Sequence, residues 1–118
     1  MSPEIARIIL YVRNIPKVAT FYKEHFGLVA LPSHRADWLE LTGKQGGCTI
    51  ALHQAAKTQK SGSAIKIVFA VLDVERFVSE RKRAGLKFGV IHKVDGFEFA
   101  NAKDPAGNSI SISSRGLR

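Results

Sequence analysis

From residue 6 to residue 12 the chain reads Ala-Arg-Ile-Ile-Leu-Tyr-Val, a short β-branched and aromatic run with apolar residues at both parities. Such a run predicts a strand covered on both faces. Helical spacing takes over at once. Asn14 suits an N-cap, Pro16 suits a first turn, and Val18, Phe21, Tyr22 and Phe26 recur at helical intervals until Gly27 stops the pattern. Three strand signals follow, around Leu28 to Leu31, around Trp38 to Leu41, and from Cys48 to His53. The last comes after Gly43-Lys44-Gln45-Gly46-Gly47, which reads as a hairpin turn. Residues 54–63 are small and polar, lack apolar periodicity, and read as a linker.

The pattern then starts again. Ile65 to Val71 predicts a second doubly apolar strand, Asp73 an N-cap, and Val74, Phe77 and Val78 the stripe of a helix ending at Ala84-Gly85. Lys87 to Ile91, Phe97 to Ala100 and Ser109 to Ser113 supply three more strands. The last two are joined by Asp104-Pro105-Ala106-Gly107-Asn108, where Pro fixes φ and Gly supplies a left-handed position. Val12-Arg13-Asn14-Ile15 corresponds to Val71-Leu72-Asp73-Val74, Gly27-Leu28 to Gly85-Leu86, and Gly47-Cys48-Thr49-Ile50-Ala51-Leu52 to Gly107-Asn108-Ser109-Ile110-Ser111-Ile112. Two β-α-β-β-β copies result. Each is shorter than the roughly 60 residues at which isolated domains become marginal. One domain over 1–118 is therefore expected, with module one at about 5–53, the linker at 54–63 and module two at about 64–114.

Composition changes this picture little. With 118 residues and 45% hydrophobic content, the chain can fill one ordinary core without staples. Its one cysteine, Cys48, excludes an internal disulfide framework and a thiolate zinc knuckle, and is expected as a buried strand thiol. The start, Met1-Ser2-Pro3-Glu4-Ile5, has no basic region leading into an apolar one, and no apolar run approaches the ~18 residues of a membrane span. A cytoplasmic protein without membrane association is expected. The net charge of +8 raises the question of a nucleic-acid partner. The basic residues are scattered, with Arg81-Lys82-Arg83 as their tight cluster, and the phenylalanines fall mostly at core spacings. Nucleic acid is therefore not expected, while an anionic small molecule stays open. The Gly43-Lys44 segment fails as a phosphate loop, because Trp38 stands where the first glycine belongs and no Ser or Thr follows the lysine. Among His25, His34, His53 and His92 no pair has the i, i+4 spacing of a zinc-binding helix, and His25 is expected at the surface.

Leu10-Tyr11-Val12-Arg13-Asn14-Ile15 with Phe21-Tyr22 and Phe26-Gly27-Leu28, then Phe69-Ala70-Val71-Leu72-Asp73-Val74, then Asp104-Pro105-Ala106-Gly107-Asn108 span nearly the whole chain. In that order and spacing the sequence resembles the vicinal oxygen chelate superfamily of glyoxalases, bleomycin- and fosfomycin-resistance proteins and extradiol dioxygenases. The resemblance implies an α+β fold of two βαβββ modules forming a curved mixed sheet around a cup. It further implies a homodimer, sometimes with exchanged modules, and metal ligands on the first and last strands of each module. Those positions hold Arg7, Ala51, Lys66 and Ser111, none of them the histidine, glutamine or glutamate such a site needs. Arginine and protonated lysine have no lone pair to give. No metal and no other cofactor is therefore expected.

The expectation is a metal-independent protein binding a small anionic or polar-aromatic molecule, as in the bleomycin-resistance type, with Arg7, Tyr11, Trp38, His53, Lys66 and Ser111 as ligand-binding residues. The alternative is a metal-dependent lyase or dioxygenase of the same superfamily using unusual donors such as His53, Glu40 and His34. Whether any ligand is turned over is open, since fold does not decide function. Arg7 and Lys66 either clamp an anion or pair internally with Glu40 or Glu98. His53 is either a rim acid/base or substitute metal ligand, or a solvated strand-end residue. Tyr11 and Trp38 either stack on a ligand or fill the fold. Ser111 has no base beside it in sequence, so a nucleophile is not expected there.

Overall fold

The computed structural model describes residues 5–60, 65–115 and 117. The chain divides into two compact units, Met1–Ser61 and Gly62–Arg118. The first contains β1 (Arg7–Val12), α1 (Ile15–Phe26), β2 (Val29–Ala30), β3 (Trp38–Thr42) and β4 (Thr49–Gln54), and the second contains β5 (Lys66–Ala70), α2 (Val74–Arg83), β6 (His92–Val94), β7 (Phe97–Lys103) and β8 (Ser109–Ser113). Each unit is one βαβββ module with a four-stranded mixed sheet, ordered β1-β4-β3-β2 in the first and β5-β8-β7-β6 in the second. The opening strand lies parallel to the closing one, Arg7 beside Thr49 and Lys66 beside Ser109, and the other pairs are antiparallel. The helix supplies the crossover that a parallel pair requires.

The caps read from the sequence are present. The Asn14 side chain accepts from the Lys17 N–H at 3.0 Å and the Asp73 side chain from the Arg76 N–H at 3.1 Å, each satisfying a donor at the start of its helix. Gly27 ends α1 at φ 67°, and its N–H donates to the Lys23 carbonyl at 3.1 Å. In module one Val12, Val18, Tyr22, Leu41 and Leu52 are wholly buried, and in module two Val74, Ala100, Ile110 and Ile112 are. Each large apolar side chain so buried contributes about 1.5–3 kcal/mol. The turn at 104–108 is tied by buried Asp104, whose carboxylate accepts from the Ala106 and Asn108 N–H groups and from the Asn108 amide.

Several expectations need correction. Neither opening strand is covered on both faces, since Ile9, Tyr11 and Val68 are exposed. The predicted strand at 87–91 is displaced to His92–Val94. Leu86 and Phe88 are apolar because they are buried beside a coil, which makes one bond towards β7, from the Gly89 N–H to the Asn101 carbonyl. Cys48 lies just ahead of β4 and is exposed, because β4 starts one residue later than expected. His25 is buried, its ring 5.0 Å from that of Phe21 one helical turn back. The described part of the predicted linker is pinned, with the Arg13 guanidinium donating to the Lys57 and Gln59 carbonyls at 2.8 and 2.9 Å. Its remainder, 61–63, lies outside the described residues, as do residues 1–4 of the expected leaderless start and residue 64 at the expected opening of module two. No helix among the described residues is long and apolar enough to cross a membrane.

Candidate functional site

Side chains alternate across a strand, so one face of each sheet is set by every second residue. In module one, residues of one parity are buried: Leu10 and Val12 of β1, Ile50 and Leu52 of β4, and Leu41 of β3. The other parity forms rows across β1, β4 and β3. Tyr11 stands beside His53 and His53 beside Trp38. One step along, Ile9 stands beside Ala51 and Ala51 beside Glu40, and a further step brings Arg7 beside Thr49.

The first row is an aromatic platform. The Tyr11 and His53 rings are 5.3 Å apart, and Trp38 meets His53 edge-on at 5.7 Å and 87°. The Arg35 guanidinium lies 5.6 Å from the Trp38 ring centroid and is held by two 3.0 Å bonds to Asp37. Those bonds, more than the bare attraction between the charges, lower the Asp37 carboxyl pKa and raise that of the guanidinium. His53 Nδ1 is 3.0 Å from the Gln54 carbonyl, which can only accept. The proton is therefore on Nδ1, and in the neutral ring Nε2 keeps the lone pair.

Below the platform, Glu40 gathers the polar groups. Its carboxylate accepts from Trp38 Nε1 at 3.2 Å and from the Thr49 hydroxyl at 3.1 Å, and Arg7 Nε is 3.7 Å away. Arg7 thus has an internal carboxylate, one of the two roles open to it from sequence.

Module two repeats the layout with different chemistry. Ala70, Ser113 and Phe99 form the row equivalent to Tyr11, His53 and Trp38, followed by Val68, Ser111 and Asn101, then Lys66, Ser109 and Lys103. Phe99 stacks on His92 at 4.7 Å and 21°, and the Arg115 guanidinium lies 5.5 Å from the Phe97 ring centroid. Lys66 Nζ donates to the Asn101 side-chain oxygen at 3.0 Å and Lys103 Nζ to the Ser109 hydroxyl at 2.9 Å. The Glu98 carboxylate that sequence offered to Lys66 belongs to the other parity of β7, where Lys93 lies 3.7 Å from it. Ser111 is buried, and its hydroxyl donates to the Ala100 carbonyl at 3.0 Å.

Of the six residues singled out from sequence, Tyr11, Trp38 and His53 come together on module one with Arg7 two rows away. Lys66 and Ser111 stand in adjacent rows on the same face of module two. Sequence reasoning missed Asn101, Lys103 and Ser109. Extending the internal repeat from β4/β8 to β3/β7 would have found the first, since Asn101 stands where module one has Glu40. His34 is exposed in the loop before β3, away from the three rows.

The four positions implied for metal ligands do not fit a divalent ion. Arg7 and Lys66 are cations, Ala51 has no donor atom, and Ser111 offers only a neutral hydroxyl, buried and hydrogen-bonded to the Ala100 carbonyl, in place of an imidazole or carboxylate. Among the described residues no three His, Cys, Asp or Glu side chains gather to hold one elsewhere. A cavity of about 340 Å³ at the end of α1, lined by Phe26, Gly27 and residues 43–46, brings no carboxylate, imidazole or thiol.

Residues 4–112 match the family model described as the Glyoxalase/Bleomycin resistance protein/Dioxygenase superfamily. Among solved structures, an integron cassette protein from the mobile metagenome of a Halifax Harbour sewage outfall superposes with a TM-score of 0.81 at 16% identity, over 96% of this chain and 99% of that one. TnmS3, an antibiotic binding protein from Streptomyces, gives 0.78 at 19% identity over 95% and 94%. A lactoylglutathione lyase from Agrobacterium tumefaciens gives 0.77 at 18% identity over 95% and 93%. No curated protein sequence gives a significant match. At these identities the structural likenesses speak for the fold, two βαβββ modules of the glyoxalase-like kind.

Proposed function

The chain belongs to the Glyoxalase/Bleomycin resistance protein/Dioxygenase superfamily, and on that premise we propose that it binds a small polar-aromatic or anionic molecule without a metal ion. The observation that carries this reading is the platform of Tyr11, His53 and Trp38, partly open to solvent, above a row whose metal-ligand position is an alanine. Aromatic rings take planar ligands by offset or edge contact, worth about 0.5–1.5 kcal/mol per pair beyond the area they bury. Their polar tips, the Tyr11 hydroxyl and His53 Nε2, can orient a ligand's own hydrogen-bonding groups. The structural neighbour TnmS3, an antibiotic binding protein, is in keeping with sequestration.

Binding is favoured over turnover because the chemistry of a lyase or dioxygenase is missing from these faces. Glu40 is committed to three partners, and among the described residues no carboxylate hydrogen-bonds His53 to make an acid/base pair. We further propose that the protein works as a homodimer, which sedimentation would test, and in the cytoplasm, which cell fractionation would test.

Trp38 is the chain's single tryptophan, so its indole N–H gives one assignable NMR signal. Titration of the intact protein with 1-naphthol and 2-naphthoate, in the presence of a chelator, should move that signal saturably with at least one probe. No movement up to the solubility of both would overturn the reading.

A further inference from the structure

We infer that Lys66, Lys103, Ser109 and Asn101 form an oxyanion-binding subsite on the sheet face of module two. The two modules differ at one decisive pair of equivalent positions. In module one the strand-start cation, Arg7, faces Glu40, and the Thr49 hydroxyl closes on the same carboxylate. In module two the equivalent cation, Lys66, faces Asn101, an amide without charge. A second ammonium, Lys103, stands on the other side of Ser109 in the same row and is bonded only to that hydroxyl among the described residues.

Among the described residues no carboxylate lies within ion-pair distance of either ammonium: Glu98 is 3.7 Å from Lys93, and Asp104 serves its own turn. Two like charges flanking one central strand repel, and neutral acceptors do not offset that repulsion. Neighbouring strands are about 4.8 Å apart, so the stems of Lys66 and Lys103 start roughly 10 Å apart with Ser109 between them. Both ammonium groups can therefore close on one group above Ser109. Lysine presents up to three rotatable donors, and the serine hydroxyl and Asn101 amide add further ones. The chemistry recognised is a compact oxyanion, a phosphate, phosphonate or carboxylate, held by charge-assisted hydrogen bonds.

The inference rests on the small-molecule reading only for what bears the oxyanion, and the test separates the two. Backbone and lysine side-chain NMR of the intact protein is followed at constant ionic strength with inorganic phosphate, phenyl phosphate and phenol. Saturable phosphate shifts centred on Lys66, Asn101, Lys103 and Ser109 are expected. Asn101→Glu, which gives module two the pattern of module one, should weaken phosphate at least tenfold, as should Lys103→Met. Lys82→Met, which removes an equal charge from the exposed side of α2, should leave the affinity within about twofold. Absence of saturation, or equal weakening by Lys82→Met, would overturn the subsite even where phenol or a naphthol still moves the Trp38 indole. Phenyl phosphate binding more tightly than inorganic phosphate identifies an organic bearer, and equal affinities identify the free ion, the subsite standing in both cases.

Discussion

Replacing the Glu40 carboxylate by its amide in Glu40→Gln keeps the shape of the side chain and removes the charge that Arg7, Thr49 and Trp38 share. Hydrogen bonds to a charged group contribute about 1.5–3 kcal/mol when dry, and Arg7 is about half exposed, so screening reduces the loss. Urea unfolding should show about 1 kcal/mol lost, and module one should gain phosphate affinity because Arg7 then lacks its carboxylate. Stability unchanged and phosphate still ignored would mean that Glu40 does not neutralise Arg7. Sequence offered Glu40 and Glu98 as partners for the two strand-start cations, and one of these pairings exists. The other failed because a carboxylate one residue off register lies on the opposite side of the sheet. Residue type is legible from sequence, but which parity of a neighbouring strand faces a given side chain depends on register.

Among elements, α2 depends most on its ends. Val74 is its one fully buried residue, and its other positions are largely charged. Asp73→Ala should therefore cost about 1 kcal/mol by loss of the bond to the Arg76 N–H, read as a fall in urea midpoint without a change of slope. No shift would mean the helix is held by packing alone. At the other helix, Gly27→Ala forces a Cβ into φ 67° and should cost about 1–2 kcal/mol by the same measurement. Both helices were legible because N-caps, an apolar stripe and a terminal glycine are local signals. The strand at 92–94 was not, since Leu86 and Phe88 are apolar for burial in coil, whereas the ladder there is made by His92, Lys93 and Val94, all exposed. Cys48 was misplaced for a related reason: apolar character says that a residue can be buried, and one residue of strand boundary decides whether it is.

At the scale of the whole molecule, the internal repeat made the architecture readable, and the same repeat shows where the two copies have parted. Module one keeps an aromatic row and a cation beside a carboxylate, while module two keeps lysines with no carboxylate partner among the described residues and a column of serines. The loss of metal donors at Arg7, Ala51, Lys66 and Ser111 was visible in the sequence, but the commitments of Glu40 and the Ser111 hydroxyl required coordinates. The central claim is binding without a metal ion. Its most direct test is equilibrium dialysis of the intact protein against nickel, zinc, manganese and iron(II), with elemental analysis of the protein compartment. The account predicts no stoichiometric ion and an unchanged Trp38 response to naphthols with and without chelator. One tightly held ion per chain, with the naphthol response lost in chelator and restored by that ion, would contradict it.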